Sequence, residues 1–278
     1  MYPMWSMEAQ KLQGRNHGRF SIPIMCCLLI ITIGIFTLSS LFAQTASIAP
    51  NQQKQVVRVP FVGCKSDGQV GPVEAPKGNS KVIATTADVA QRLAYYKAAY
   101  GFGVLAPRGW YCFETYGSNG STLFVSPEPI NPSELFTGNW KGFAGQVIQI
   151  SNDMGDTSGR FSVARIIARV FPAHKAFVKD VIAEGIEPAS SFPSGPYPND
   201  KLTYRSNDIV EFQTPSNTEG LGTSSWLKKN GIPISGVAIL FGQELNLLQL
   251  SVRLSPNLIN LTPIIIQQVE TDVAQIKQ

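Results

Sequence analysis

Cys64 and Cys112 are the two cysteines left once the first 43 residues are set aside, and that pair constrains the fold more than any motif in the chain. The other two, Cys26 and Cys27, lie in an N-terminal stretch that reads as an export segment. Lys11, Arg15 and Arg19 precede a run from Phe20 to Ala43 without a charged residue, and Ile22 to Phe42 is rich in Ile, Leu and Phe. A basic start followed by an apolar run is a secretory signal, or a signal retained as a membrane anchor. Cleavage after Ala43 is the expectation, which leaves residues 44–55 as a linker and 56–278 as one domain. Outside the cytoplasm two cysteines most simply form one disulfide. A Cys64–Cys112 bond would contribute ~4 kcal/mol in the chain-entropy model.

Charge excludes one class of partner. The chain has 23 Lys+Arg and 19 Asp+Glu, and residues 1–43 hold three of the basic residues and one acid, Glu8. The remainder carries 20 basic and 18 acidic residues, a net charge of +2. Nucleic-acid binding usually needs a concentrated basic face, so it is not expected. Of the two histidines only His174 lies beyond the export segment, so a three-histidine or HExxH zinc site cannot form within one chain. There is no CxxC, GxSxG, Walker loop or post-strand GxGxxG, and no cofactor or metal is expected.

Turn and period signals outline the elements. Val56–Val62 reads as a strand and residues 63–80 as a Gly/Pro-rich loop. Ala87–Tyr100 reads as a helix capped by Thr86, with Val89, Leu93, Tyr96 and Tyr100 on one face. Phe102–Leu105 is a strand, and Ala106 to Gly109 suit a type I turn. Trp110–Tyr116 and Ser121–Ser126 flank Asn119-Gly120, a strong hairpin dipeptide. Trp110, Cys112 and Glu114 then share a face, which leaves Glu114 near its edge. Gln146–Ile150 is a strand, Arg160–Phe171 a helix broken by Pro172, and Ala173–Glu184 its continuation. Leu202–Tyr204, Ile209–Gln213, Ile232–Phe241 and Leu245–Leu254 are strands. A last helix after Thr262-Pro263 buries Ile265, Val269, Val273 and Ile276.

Hairpins without regular βαβ alternation predict an α+β fold, a mainly antiparallel sheet flanked by helices. The run GFGVLAPRGWYC, the hairpin after it, a long helical segment and a late TEGLGT loop before a hairpin and helix resemble the PsbP-like α/β/α sandwich. Separately, VPFVGCKSDGQ and GVLAPRGWYCFETYGSNGS resemble a family of exported bacterial proteins of unassigned function. That resemblance carries over no catalytic residue.

The candidate sites each compete with an ordinary structural role. His174 is the available imidazole base; a hydrolase would pair it with Ser118 or Ser121 and with Glu114 or Asp180. The Ser118-Asn119-Gly120 turn could form an anion nest. Arg160, Arg165, Arg169, Lys175 and Lys179 form a basic strip that could meet an acidic partner or a solvated exterior. Asn152, Asp153 and Asp156 could surround a calcium ion but equally suit turns and caps. The leading expectation is a non-catalytic binding or assembly module of the cell envelope, periplasmic or secreted, with an envelope component as partner. The alternatives are an envelope hydrolase using His174 or paired carboxylates, and a structural protein anchored in the inner membrane through residues 20–43. In its host the protein should fractionate outside the cytoplasm, with N-terminal sequencing starting near Gln44. A full-length cytoplasmic product would contradict export.

Overall fold

The computed structural model of the protein describes residues 54–137 and 140–276. The expected signal or anchor segment, residues 1–43, and the linker up to residue 53 lie outside the described residues. Strands β1 (Gln55–Val59), β2 (Phe61–Gly63), β3 (Lys65–Gly68) and β4 (Lys81–Thr85) lead into helix α1 (Ala87–Arg92). Next come β5 (Leu93–Lys97), β6 (Val104–Pro107), β7 (Tyr111–Gly117), β8 (Gly120–Ser126), α2 (Pro132–Leu135) and β9 (Val147–Asp153). Helices α3 (Arg160–Val170) and α4 (Lys175–Ala183) precede β10 (Lys201–Tyr204), β11 (Ile209–Thr214), β12 (Ile234–Phe241), β13 (Asn246–Arg253) and α5 (Thr262–Ile276).

The main sheet has eight strands in the order β10-β11-β12-β13-β9-β8-β7-β3. Its neighbours are antiparallel except β3 with β7. Side chains alternate between the faces of a strand. Leu123, Val125, Ile148, Ile150, Leu248 and Leu250 therefore share one face, where they pack with Ile265, Val269 and Val273 of α5. The three-stranded sheet β2-β5-β6 adds Leu93, Tyr96 and Val104 to that core. The opposite face presents Phe124, Val147, Ala238 and Leu240 to Val163, Ile167 and Val170 of α3 and to Val178 and Val181 of α4. The fold is α+β, a mainly antiparallel sheet flanked by helices, as its hairpin signals imply.

Several elements depart from expectation, each for a tertiary reason. The helix predicted over Ala87–Tyr100 stops at Arg92, and Leu93–Lys97 pairs with β2 and β6. Tyrosines suit strands, and pairing buries Leu93, Ala94 and Tyr96. Arg108 supports the stop by donating to the carbonyls of Ala90 and Leu93 at 3.0 and 2.8 Å. Pro60 divides the Val56–Val62 strand into β1 and β2, which join different sheets. Ala106 and Pro107 belong to β6, so the reversal falls on Arg108-Gly109, with Gly109 at φ 80°. Ile276, expected in the buried stripe of α5, is 61% exposed and borders a cleft.

The largest departure is β3, inside what reads as a loop. Cys64 and Cys112 are disulfide-bonded with their Cα atoms 5.4 Å apart, so the expected bond is present. It pins the chain beside β7, and two residues on, Ser66 donates to Glu114 Oε2 at 2.8 Å. Glu114 thus lies fully buried rather than near an edge. The Tyr100 N–H also donates to it at 3.1 Å. Burial pushes the Glu114 carboxyl pKa up, against Ser66, the Tyr100 amide and the Lys97 charge. Native and denatured, unreduced protein should resist thiol labelling at Cys64 and Cys112. Reduction should expose both and lower unfolding stability by ~4 kcal/mol in urea; labelling without reductant would refute the bond.

Candidate functional site

Alternation in β8, β9 and β13 puts polar side chains where a helix covers the sheet. Thr122 lies opposite Ser151, and Ser151 opposite Gln249, so one polar rung crosses three strands. Gln149 follows on the next rung between Phe124 and Ser251. Helix α3 contributes Ser162 and Arg165 from above, and a cleft of about 310 Å³ remains between the layers. Gln149 Oε1 is buried there without a hydrogen-bond partner. A buried polar atom left unpaired costs roughly 1–3 kcal/mol, so this lining is expensive as mere packing.

The loop between β11 and β12 forms the outer wall and carries Trp226. Asp200 organises it: one carboxylate oxygen accepts from Thr214 Oγ1 at 2.7 Å, the other from the Leu221 N–H at 2.6 Å. Gly220 is required at this approach, because a Cβ there would lie 2.1 Å from Asp200 Oδ1. Gln249 Nε2 donates to Leu221 O at 2.7 Å and ties the wall to the sheet. Trp226 packs on Phe124, with ring centroids 5.5 Å apart. It also lines a smaller cleft of about 230 Å³ that shares Asn119, Thr122 and Asp153 with the first.

Asp153 stands where the two clefts meet. Burial pushes its carboxyl up to about 7, and the Arg165 charge pulls the other way. Arg165 is a weak counter-ion because its guanidinium is already bonded to Glu187, at 2.6 and 2.7 Å. Near neutral pH the carboxyl is therefore shared between its forms and can accept or donate a hydrogen bond.

The residues singled out in the sequence do not gather into one site. His174 Nε2 bonds Asp208 Oδ1 at 2.7 Å in a partly exposed pair, and Ser206 Oγ accepts from the Asp208 N–H. Glu114, Ser118 and Ser121 belong to β7, β8 and the turn between them. β7 is five strand spacings from β11, roughly 24 Å. Asp180 is exposed on α4. The Ser118-Asn119-Gly120 turn closes the hairpin, and the Asn119 carbonyl accepts from the Met154 N–H.

The basic strip is largely engaged within the molecule. Arg160 is bonded to Glu184 and Arg165 to Glu187, while Arg169 lies 4.2 Å from the Tyr197 ring centroid. Lys175 and Lys179 are exposed on α4. Strand alternation sends Asp153 to the α3 cleft, whereas Asn152 and Asp156 line another cleft of about 710 Å³, bordered by β5 and α5.

Two features escaped the sequence reading. Thr122, Gln149, Ser151 and Gln249 look like a solvent-facing half of each strand, since alternation gives a period but not which face a helix will cover. A carboxylate pair, Glu211 on β11 and Glu270 on α5, lines another cleft of about 630 Å³. Arg205 Nε donates to Glu211 at 2.6 Å, while burial and then the Glu211 charge push the Glu270 carboxyl up.

No family model, curated protein or solved structure matches this chain.

Asp153 gives the α3 cleft a pH signature. Its folded pKa lies above the unfolded value of 3.8, so the stability it contributes is full at low pH and is lost as pH rises through about 7. At 1.36 kcal/mol per unit, discounted for water in the open cleft, the loss is about 2–4 kcal/mol. Urea melts should show Asp153→Asn equal to wild type at pH 4 and more stable by that amount at pH 8. Equal stability of the two proteins at both pH values would show the carboxyl to be ordinary.

Proposed function

We propose that the protein is an exported binding module that holds a small, polar, largely uncharged ligand between α3 and the sheet, without transforming it. One observation carries this reading: the Thr122–Ser151–Gln249 rung, with Gln149 unpaired beside it, occupies the sheet face that α3 covers. Elsewhere that face packs on the helices with Phe124, Val147 and Leu240. Ligand clefts commonly combine such convergent polar groups with aromatic walls. The basic start, the apolar run and the Cys64–Cys112 bond support export, since disulfides persist in oxidising compartments. Among the described residues no helix is long and apolar enough to cross a membrane.

A hydrolase remains the second reading, now resting on Glu211 and Glu270 rather than His174. Two carboxyls with divergent environments are what acid–base pairs require. The α3 cleft offers Asp153 as the one carboxyl among its lining residues, which suits binding better than hydrolysis by two carboxylates.

Thermal-shift screening tests the binding reading with named probes: monosaccharides, free amino acids and nucleosides at millimolar concentration. A probe at a hundred times its Kd stabilises by about 2.7 kcal/mol, a rise of roughly 5–10 °C in Tm. The shift should vanish in Ser151→Leu, which fills the cleft with apolar volume, in protein whose circular dichroism matches that of wild type. No shift from any probe, or shifts indifferent to Ser151→Leu, would overturn the assignment.

A further inference from the structure

The two clefts that meet at Asp153 form one groove, since Asn119, Thr122 and Trp226 also line both. We infer that this groove takes a neutral oligosaccharide, one ring in each lobe with Trp226 between them; the inference rests on the binding reading above.

Three properties of the lining select that chemistry. First, its charge is nearly spent. Arg165 is bonded to Glu187, so a phosphate-bearing ligand would meet no free guanidinium in the groove. Second, its polar groups are mostly amides and hydroxyls. Gln149 and Asn119 each offer a carbonyl and an NH2 in a plane, and Gln249, whose Nε2 is bonded to Leu221 O, adds its carbonyl, which matches the paired donor and acceptor character of neighbouring sugar hydroxyls. Thr122, Ser151 and Gln249 stand opposite one another on β8, β9 and β13, about 4.8 Å apart across the sheet and close to the width of a pyranose ring. A peptide would instead need apolar side-chain pockets or a free strand edge. The larger lobe has little aliphatic lining beyond Ile166 and Leu221, and the strands beneath it are paired on both sides.

Third, aromatic walls bracket the polar floor. Trp226 lies at the junction of the lobes, and Tyr197 closes the larger one. Sugar rings carry apolar C–H faces as well as hydroxyl edges, so aromatic walls and a hydrogen-bonding floor suit one ligand together. The two lobes, about 310 and 230 Å³, give room for more than one ring.

Tryptophan fluorescence and calorimetric titration decide the matter with maltotriose, cellotriose and triacetylchitotriose, each beside its monosaccharide. At least one trisaccharide should bind at least tenfold more tightly than its own monomer, because only the longer chain fills both lobes. Trp226→Ala should weaken it tenfold or more. Asn119→Ala changes an exposed side chain that lines both lobes, so the protein should stay folded while trisaccharide binding weakens several-fold. Binding of an amino acid or nucleoside that Ser151→Leu abolishes, with no saccharide bound, would overturn the saccharide inference and leave the binding reading intact. Silence from every probe would overturn both. Saccharide binding indifferent to both Trp226→Ala and Asn119→Ala would place the ligand elsewhere and overturn the groove.

Discussion

The guanidinium of Arg253 is fully buried at the end of β13, without a carboxylate partner among the described residues, and two loops depend on it. It donates to the carbonyls of Gly145, Lys228 and Phe143. A buried charge is costly unless hydrogen-bonded, and charge-assisted bonds are the strong ones, so three carbonyls fix this group and the group fixes them. The segments it joins lead into β9 and β12. The Phe143 N–H bonds the Trp226 carbonyl at 2.7 Å, and Asn230 donates to Ala144 O. Trp226 therefore reaches the groove from a loop anchored in the core rather than from a free surface turn. Burial pulls the Arg253 pKa down, the expected cost of holding that charge in the interior.

That anchor matters because the two faces of the central strands do different work. The α5 face is apolar at its centre, with Leu123, Ile148, Ile150, Leu248 and Leu250 buried. Apolar burial contributes about 25 cal/mol per Å², and this face forms the larger continuous core. The α3 face is apolar toward β11 and β12, then turns polar at Gln149, Ser151 and Gln249. The layers approach over the apolar part and stand apart over the polar part. The groove is what that separation leaves.

Local chemistry made much of this legible. Asn119-Gly120 announces the hairpin, Pro172 the break between α3 and α4, and the two remaining cysteines their bond. Strand existence followed from period-two alternation, which is set by the backbone. What stayed hidden depended on partners distant in sequence. Leu93–Lys97 carries a helical spacing and becomes a strand because β2 and β6 flank it. Lys65–Gly68 has no strand signal of its own and is held by a disulfide and by the Ser66–Glu114 bond. The groove was hidden for the same reason: the polar half of an alternating strand faces water or a helix according to a layer packed from elsewhere. The basic strip shows the reverse error, since its charges are conspicuous in sequence but Glu184 and Glu187 return to meet two of them.

Asp153 and Gln149 break the local rule that a helix-covered sheet face should be apolar or fully paired. A sequence under pressure only for stability would place small apolar residues there, as Ala238 does on the adjoining strand opposite Gln249. Such violations concentrate where function requires them, because they are maintained against a cost that substitution would remove. The same chain shows how a buried polar cluster is satisfied when its role is structural. Around Asp200, both carboxylate oxygens are engaged and the loop backbone supplies a donor. Gln149 Oε1 has no such partner, and Asp153 stays protonated up to about pH 7. The contrast between one satisfied cluster and one open cluster, a single loop apart, is the physical reason to place the ligand beside the second.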